Sequence, residues 1–190
     1  MKQILVLIII TFCLVNCSST KESIKVEVHE SNQDIILFYS KKMNAIWAIS
    51  LPFNVEIINT FSEDNAFLNY KYMYGSELKG KAMKMYLIEE ERLLKQSISK
   101  IKYIEAKSSK EYLVRSKHFV DTTKYNRLFF KPYIEKILSL KQDTLHIGTV
   151  SKFKQKHKEL FEKLTKNDSI SIQFFDEDKF GEKITVPAKW

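Results

Sequence analysis

The sequence predicts a single α+β domain that consists mainly of antiparallel β-sheet with two or three helices. Three observations lead to this prediction. Apolar and polar residues alternate in several short runs, which is typical of half-buried strands. Polar turns of a few residues separate these runs, as in an antiparallel meander. Hydrophobic residues make up 44% of the chain and aromatic residues 13%, which is enough to fill a folded core.

The first third of the chain contains the clearest strand patterns. Ile24, Val26 and Val28 alternate with polar residues, and denser apolar runs follow. Strands are predicted at residues 24–29, 34–40, 45–51, 53–61 and 67–74. We expect an interruption at Pro52, because proline has no N–H to donate to a central ladder.

In the rest of the chain, the sequence pattern predicts helices between further strands. Three glutamates at 89–91 precede Leu94, Ile98 and Ile101 at helical spacing, an order of charge that suits the helix dipole. Residues 83–88 are either the first turns of this helix or a separate strand. Strands are also predicted at 111–120 and 144–150, and a short helix near 130–138. A second helix is predicted at 151–165, with Ser151 as its N-cap. The chain is expected to end in a hairpin that starts at residue 170, with Trp190 packed against the domain.

The N-terminus has the features of a signal peptide. After Met1-Lys2, an apolar run extends from Ile4 to Val15 with one break at Thr11. A membrane-spanning helix needs about 20 apolar residues, so this run is too short to span. It has the length of a signal-peptide core.

The end of this run, Leu14-Val15-Asn16-Cys17, resembles the bacterial lipoprotein signal, whose lipobox ends in a cysteine. Leu14, Val15 and Cys17 match the lipobox pattern, whereas Asn16 stands where glycine or alanine is usual. The resemblance implies cleavage after Asn16 and attachment of diacylglycerol to Cys17. The predicted organisation is therefore a signal peptide at 1–16, a lipidated Cys17 with its tether at 17–23, and a single domain at 24–190.

Lysine carries almost all of the positive charge. The formal net charge is +8, and the arginines are Arg92, Arg115 and Arg127. Lysine is a flexible point charge, whereas arginine binds phosphate in a bidentate geometry. The composition therefore argues against a nucleic-acid-binding protein. It indicates either a solvated surface or a general attraction to anionic lipid or polysaccharide.

The sequence contains no recognisable catalytic, metal or cofactor motif. The histidines, His29, His118, His146 and His157, do not have a short metal-ligand spacing. The four glycines form neither a phosphate-binding loop nor a nucleophile elbow. We therefore predict no catalytic residue, no metal and no cofactor. Paired carboxylates that meet only in the fold are an open alternative.

Two features are candidates for partner binding. Tyr70, Tyr72 and Tyr74 share one face of a predicted strand, where aromatic rows either bind a sugar or protein partner or pack the core. Lysines cover much of the helix predicted at 151–165 and form either a solvated face or an electrostatic docking surface. They are Lys152, Lys154, Lys156, Lys158, Lys163 and Lys166.

The sequence thus favours a lipid-anchored protein of the bacterial cell envelope, in the outer membrane if the cell has two membranes. The expected role is non-enzymatic binding of a protein partner in the envelope, as in immunity proteins or assembly factors of this size. Two alternatives stay open at this stage. One is a cell-wall or glycan hydrolase, and the other is a carrier of an apolar ligand.

Overall fold

The computed structural model describes residues 23–75, 83–176 and 179–190. It confirms the predicted fold class, a single α+β domain built mostly from antiparallel sheet. The proposed signal peptide, Cys17 and nearly all of the tether lie outside the described residues. So do residues 177–178 of the predicted C-terminal turn.

Strands dominate the described part of the chain. They are β1 (Ile24–Glu30), β2 (Ile36–Ser40), β3 (Ala45–Asn59), β4 (Asn65–Met73), β5 (Lys84–Glu89), β6 (Arg92–Lys95), β7 (Lys102–Ile104), β8 (Ser109–Phe119), β9 (Thr144–His146), β10 (Ser169–Asp176) and β11 (Lys179–Pro187). The helices in the same part are α1 (Lys124–Phe129), α2 (Lys131–Ser139), α3 (Val150–Lys156) and α4 (Lys158–Thr165). None of these helices is long and apolar enough to span a membrane.

The strands form two antiparallel sheets. The larger sheet has the order β6-β5-β8-β3-β2-β9, and β1 also pairs with β3. The smaller sheet has the order β11-β10-β4-β7. Because β8 pairs along one edge of β3, strands β1 and β2 share its other edge.

Two hydrophobic cores follow from this arrangement. The first lies between the sheets, where alternate residues of β3 such as Phe53, Val55 and Ile57 meet residues of β4 and β10. The second lies between the larger sheet and the helices, and it includes Phe130 and Leu164. Burial of the apolar side chains in these two cores supplies the main driving force for this fold.

Pro52 does not interrupt β3, contrary to the sequence prediction. Residues Ala45–Asn59 form one continuous strand. On the edge away from β8, Ser50 pairs with β2 and Phe53 pairs with β1. Pro52 therefore lies where the neighbouring strand changes, and its missing N–H leaves no gap in a ladder on that edge.

The prediction of a helix at 89–101 is also wrong. Residues 84–95 form the β5-β6 hairpin, and the turn residues Glu90 and Glu91 have φ angles of 47° and 65°. Two successive positive φ angles are what a tight hairpin turn needs. The alternative that residues 83–88 belong to a strand is correct, because β5 pairs with β8.

The helix predicted at 151–165 is present as two helices. The N-cap is Thr149 rather than Ser151, and the helix divides at His157. Phe161 and Leu164 are buried as expected, whereas Leu160 is half-buried because the division changes the face that meets the core.

The C-terminus is packed, as the sequence predicts. The Trp190 ring lies 5.0 Å from the ring of Phe53 and 6.1 Å from the ring of Phe161. Trp190 therefore contacts both hydrophobic cores.

Candidate functional site

An open cleft of about 550 Å³ lies where α1 faces the junction of α3 and α4. We call it the His157 cleft. One wall comes from Val120 and Asp121, which follow β8, and from Phe129 of α1. The opposite wall is formed by residues 155–160 together with Lys163. The cleft therefore joins elements that are far apart in the sequence.

A bend in the backbone places His157 at this junction. Its φ and ψ angles are −135° and 46°, outside the helical range. Its N–H nevertheless donates to the Phe153 carbonyl at 2.8 Å, and its own carbonyl accepts from the Phe161 N–H at 2.9 Å. Hydrogen bonding thus continues through the bend, while the two helices diverge and open the cleft.

The imidazole of His157 is held by aromatic neighbours. Its ring centre lies 4.8 Å from the ring of Phe129 and 4.9 Å from the ring of Phe153. Its Nε2 shares a 2.9 Å hydrogen bond with the Tyr133 hydroxyl. These contacts fix the ring orientation, and Nε2 is already occupied by a partner within the protein.

Lysines determine the charge of the cleft. Lys156, Lys158 and Lys163 line it, opposed by the carboxylates of Asp121 and Glu159. Burial and then the nearby Lys156 lower the pKa of His157. The imidazole is therefore neutral at neutral pH, and the lysines supply the positive charge. The cleft is suited to an anionic group that contacts an aromatic wall.

A second, smaller cleft of about 290 Å³ lies on the other side of His157. It is lined by Lys136, Lys152 and Lys156 together with Tyr133 and His146. The ammonium of Lys156 lies 5.7 Å from the Tyr133 ring and belongs to both clefts. The positive surface therefore continues around the bend.

A buried group elsewhere has the residue types of a catalytic triad. Ser116 and His118 of β8 and Asp168, which precedes β10, are at most 3% exposed. In a triad the histidine uses one ring nitrogen for the nucleophile and the other for the acid. Here Ser116 Oγ lies 2.9 Å and Asp168 Oδ2 lies 3.8 Å from the same atom, His118 Nε2. This geometry does not relay a proton from the serine to the acid.

The same group has a structural role. Asp168 accepts hydrogen bonds from the Tyr72 hydroxyl at 2.6 Å and the Gly75 N–H at 2.8 Å. Burial raises the pKa of Asp168, and these two hydrogen bonds oppose the rise. Burial lowers the pKa of His118 to about 4. These hydrogen bonds, together with the one between Ser116 and His118, connect buried polar groups where the two sheets meet.

The predicted row of Tyr70, Tyr72 and Tyr74 lies partly at the junction of the two sheets. Tyr70 and Tyr72 are buried in the core between the sheets, and Tyr74 is half-buried against it. The Tyr70 hydroxyl donates to the Gln96 carbonyl, and the Tyr74 hydroxyl accepts from the Lys117 N–H. Tyr70 and Tyr72 thus pack in the core between the sheets, Tyr74 lies against it, and partner binding by these tyrosines stays a prediction.

One group of side chains has the donor types of a metal site. Glu27 and His29 of β1 and Glu56 of β3 lie on the outer face of the larger sheet, with ligand atoms all within 4.8 Å of one another. Sequence analysis missed this group because Glu56 is distant in the sequence. The Glu-x-His spacing on a predicted strand was the only local signal.

The sequence analysis identified the lysines of the His157 cleft but not the cleft. The opposite wall comes from α1, whose proximity to α4 is a property of the fold.

Cys17 lies outside the described residues. The chain matches no known protein family, no curated protein and no solved structure.

Proposed function

We propose that this chain is a lipid-anchored protein of the bacterial envelope that binds an acidic surface of a partner protein through the His157 cleft. The role is binding or accessory rather than enzymatic. The observation that carries the binding proposal is the convergence of Lys156, Lys158 and Lys163 on one cleft with an aromatic wall. The anchor proposal rests on the lipobox-like residues ending in Cys17.

The side chains of the cleft suit recognition of a carboxylate-bearing partner. The lysines attract an anionic group over a range of about 8 to 10 Å at physiological salt. Phe129 contributes apolar surface against which the rest of a partner's segment can pack. Because Tyr133 occupies Nε2 of His157, the imidazole contributes through its ring face and its remaining nitrogen.

The position of the cleft supports access by a partner away from the membrane. β1 begins at Ile24, seven positions after Cys17 in the sequence. The far end of β1 contacts the helices, where Ser151 of α3 donates a hydrogen bond to Glu30. A seven-residue strand is about 20 Å long, so the helical layer begins one strand length beyond the tether.

The two alternative functions receive less support. A carrier would need an internal cavity, whereas apolar side chains fill both described cores. The buried carboxylate with a raised pKa, Asp168, is bonded to Tyr72 and Gly75 rather than directed into a cleft. The binding role is therefore the one for which the described residues provide a surface.

The proposal is tested by capture of the lipidated full chain with its cross-linked partners from its own membranes. In the cleft variant, Lys156, Lys158 and Lys163 are all replaced by glutamate. A matched control replaces the exposed lysines Lys42, Lys95 and Lys100 by glutamate, which changes the net charge equally.

The wild type and the control variant should recover the same partner, and the cleft variant should not. Capture should also weaken as salt is raised, because the attraction is electrostatic. Recovery of the partner by the cleft variant would show that the cleft is not the binding surface. Loss in both variants would indicate a general charge effect, and capture of no partner by the wild type would contradict the binding role.

A further inference from the structure

Three glutamates lie in one row across the outer face of the larger sheet. Glu27 of β1 is directly opposite Glu56 of β3, and Glu56 is directly opposite Glu111 of β8. Like charges in directly opposed positions destabilise a sheet. The row therefore requires positive charge or hydrogen-bond donors at its centre.

His29 lies beside this row on the same face. Its Nε2 is 3.7 Å from Glu27 Oε2 and 3.9 Å from Glu56 Oε2. The side chains of His29 and Glu27 are about half exposed, at 50% and 49%, and Glu56 is 34% exposed. One imidazole nitrogen and two carboxylate oxygens thus converge at a point that water can reach.

Neighbouring side chains orient the carboxylates of Glu56 and Glu111. Ser109 Oγ donates to Glu56 Oε1 at 2.7 Å, which leaves Oε2 on the side of His29. Asn54 Nδ2 donates to Glu111 Oε1 at 2.8 Å. Asn54 is directly opposite His29 in the strand pair, and its Oδ1 is buried without a hydrogen-bond partner among the described residues. A supporting hydrogen bond such as the one from Ser109 to Glu56 is typical of a metal-ligating side chain.

We propose that Glu27, His29 and Glu56 form a binding site for a first-row divalent transition metal such as Zn²⁺. Ligand atoms about 2.1 Å from a tetrahedral Zn²⁺ ion are about 3.4 Å apart. The two separations from His29 Nε2 are 3.7 and 3.9 Å, and all ligand atoms lie within 4.8 Å of one another. Rotation of the exposed Glu27 and the half-buried Glu56 side chains would bring these atoms closer to the separation that Zn²⁺ requires. Water completes the coordination on the exposed side.

The combination of one imidazole nitrogen and two carboxylate oxygens determines which class of metal the site would bind. Imidazole nitrogen suits Zn²⁺ and other late first-row ions, whereas Mg²⁺ and Ca²⁺ prefer sites built from oxygen alone. Binding would neutralise the opposed pair of Glu27 and Glu56. It would also join β1 to β3 through side chains, in addition to their ladder of backbone hydrogen bonds.

The test measures Zn²⁺ bound to the untagged full chain by equilibrium dialysis near pH 7.5. Every protein in the comparison carries Cys13→Ser and Cys17→Ser, so that thiols do not compete for the metal. The site variants are Glu27→Gln/Glu56→Gln and His29→Gln. The matched control is His146→Gln, which removes an exposed histidine that lies 3.6 Å from a single carboxylate, Asp34.

The parent and the His146→Gln chain should each bind about one Zn²⁺, and each site variant should bind it at least about tenfold more weakly. Zn²⁺ should raise the melting temperature of the parent and not of Glu27→Gln/Glu56→Gln. Equal binding by the parent and the site variants would overturn the proposal, as would no saturable binding by the parent. Displacement of Zn²⁺ by equimolar Ca²⁺ would show that the imidazole is not a ligand and would also overturn it.

Discussion

The buried imidazole of His118 predicts a specific loss of stability in acid. His118 is fully buried on β8, and burial lowers its pKa from 6.5 to about 4. The unfolded chain therefore takes up a proton on this side chain near pH 6.5, while the folded chain does so only near pH 4. Between these values the unfolded state binds more protons, so the free energy of unfolding falls as the pH falls.

The magnitude follows from the two pKa values. Integration of the proton-binding difference for His118 between pH 7.5 and pH 5 gives a loss of about 2 kcal/mol. Asp168 has a raised pKa, so its protonation acts in the opposite direction. His157 has a lowered pKa and adds a loss in the same direction in every chain that retains it.

The assay is urea unfolding of a chain of residues 18–190 at pH 7.5 and pH 5. His118→Gln, which cannot titrate, should lose about 2 kcal/mol less than the wild type between these two pH values. His146→Gln, which replaces an exposed histidine, is the control for the substitution itself. An identical pH dependence in wild type and His118→Gln would refute the assignment of a buried neutral imidazole.

Four further substitutions test the packing of the domain by the same unfolding assay. Leu164→Ala should cost about 2–5 kcal/mol because Leu164 is fully buried, whereas Lys158→Ala should stay within about 0.5 kcal/mol of the wild type. Equal costs would show that the helix faces are wrongly assigned. Trp190→Ala should cost at least about 2 kcal/mol because the ring contacts both cores, and a neutral effect would mean that the C-terminus is not packed. Gly75→Ala should cost about 1–3 kcal/mol, because a Cβ there would lie 2.3 Å from the Lys166 carbonyl oxygen. An unchanged stability would contradict that close approach.

Strands with strong local alternation were predictable from the sequence. Ile24, Val26 and Val28 lie on β1, and Ile170 and Ile172 lie on β10, as their period of two indicates. On β1 one face is buried and the other is exposed, whereas on β10 the second face is polar but includes the buried Ser171. In both strands the alternation of apolar and polar residues identifies the face that packs in the core.

Elements that depend on distant partners were not predictable in this way. The turn at Glu90 and Glu91 lacks the asparagine or glycine that usually signals two positive φ angles. The helical spacing of Leu94, Ile98 and Ile101 is consistent with a helix, but pairing of β5 with β8 decides the structure. Tertiary pairing thus overrides local propensity.

The candidate sites were likewise only partly predictable from the sequence. The lysines of α3 and α4 were visible in the sequence, but the wall that faces them comes from Phe129 and the residues after β8. The convergence of Glu27 and Glu56 depends on the register between β1 and β3. A single sequence specifies neither the helix contact nor the register directly.

The most direct test of the proposed anchor is fatty-acid labelling in a bacterium that has the lipoprotein pathway. The full chain should incorporate labelled fatty acid, and the Cys17→Ser chain should remain an unlabelled precursor. Only a thiol provides a sufficiently reactive nucleophile for the thioether, so serine cannot replace it. Incorporation of label into Cys17→Ser, or its absence from the wild type, would contradict a lipid anchor at Cys17 and with it the proposed envelope location.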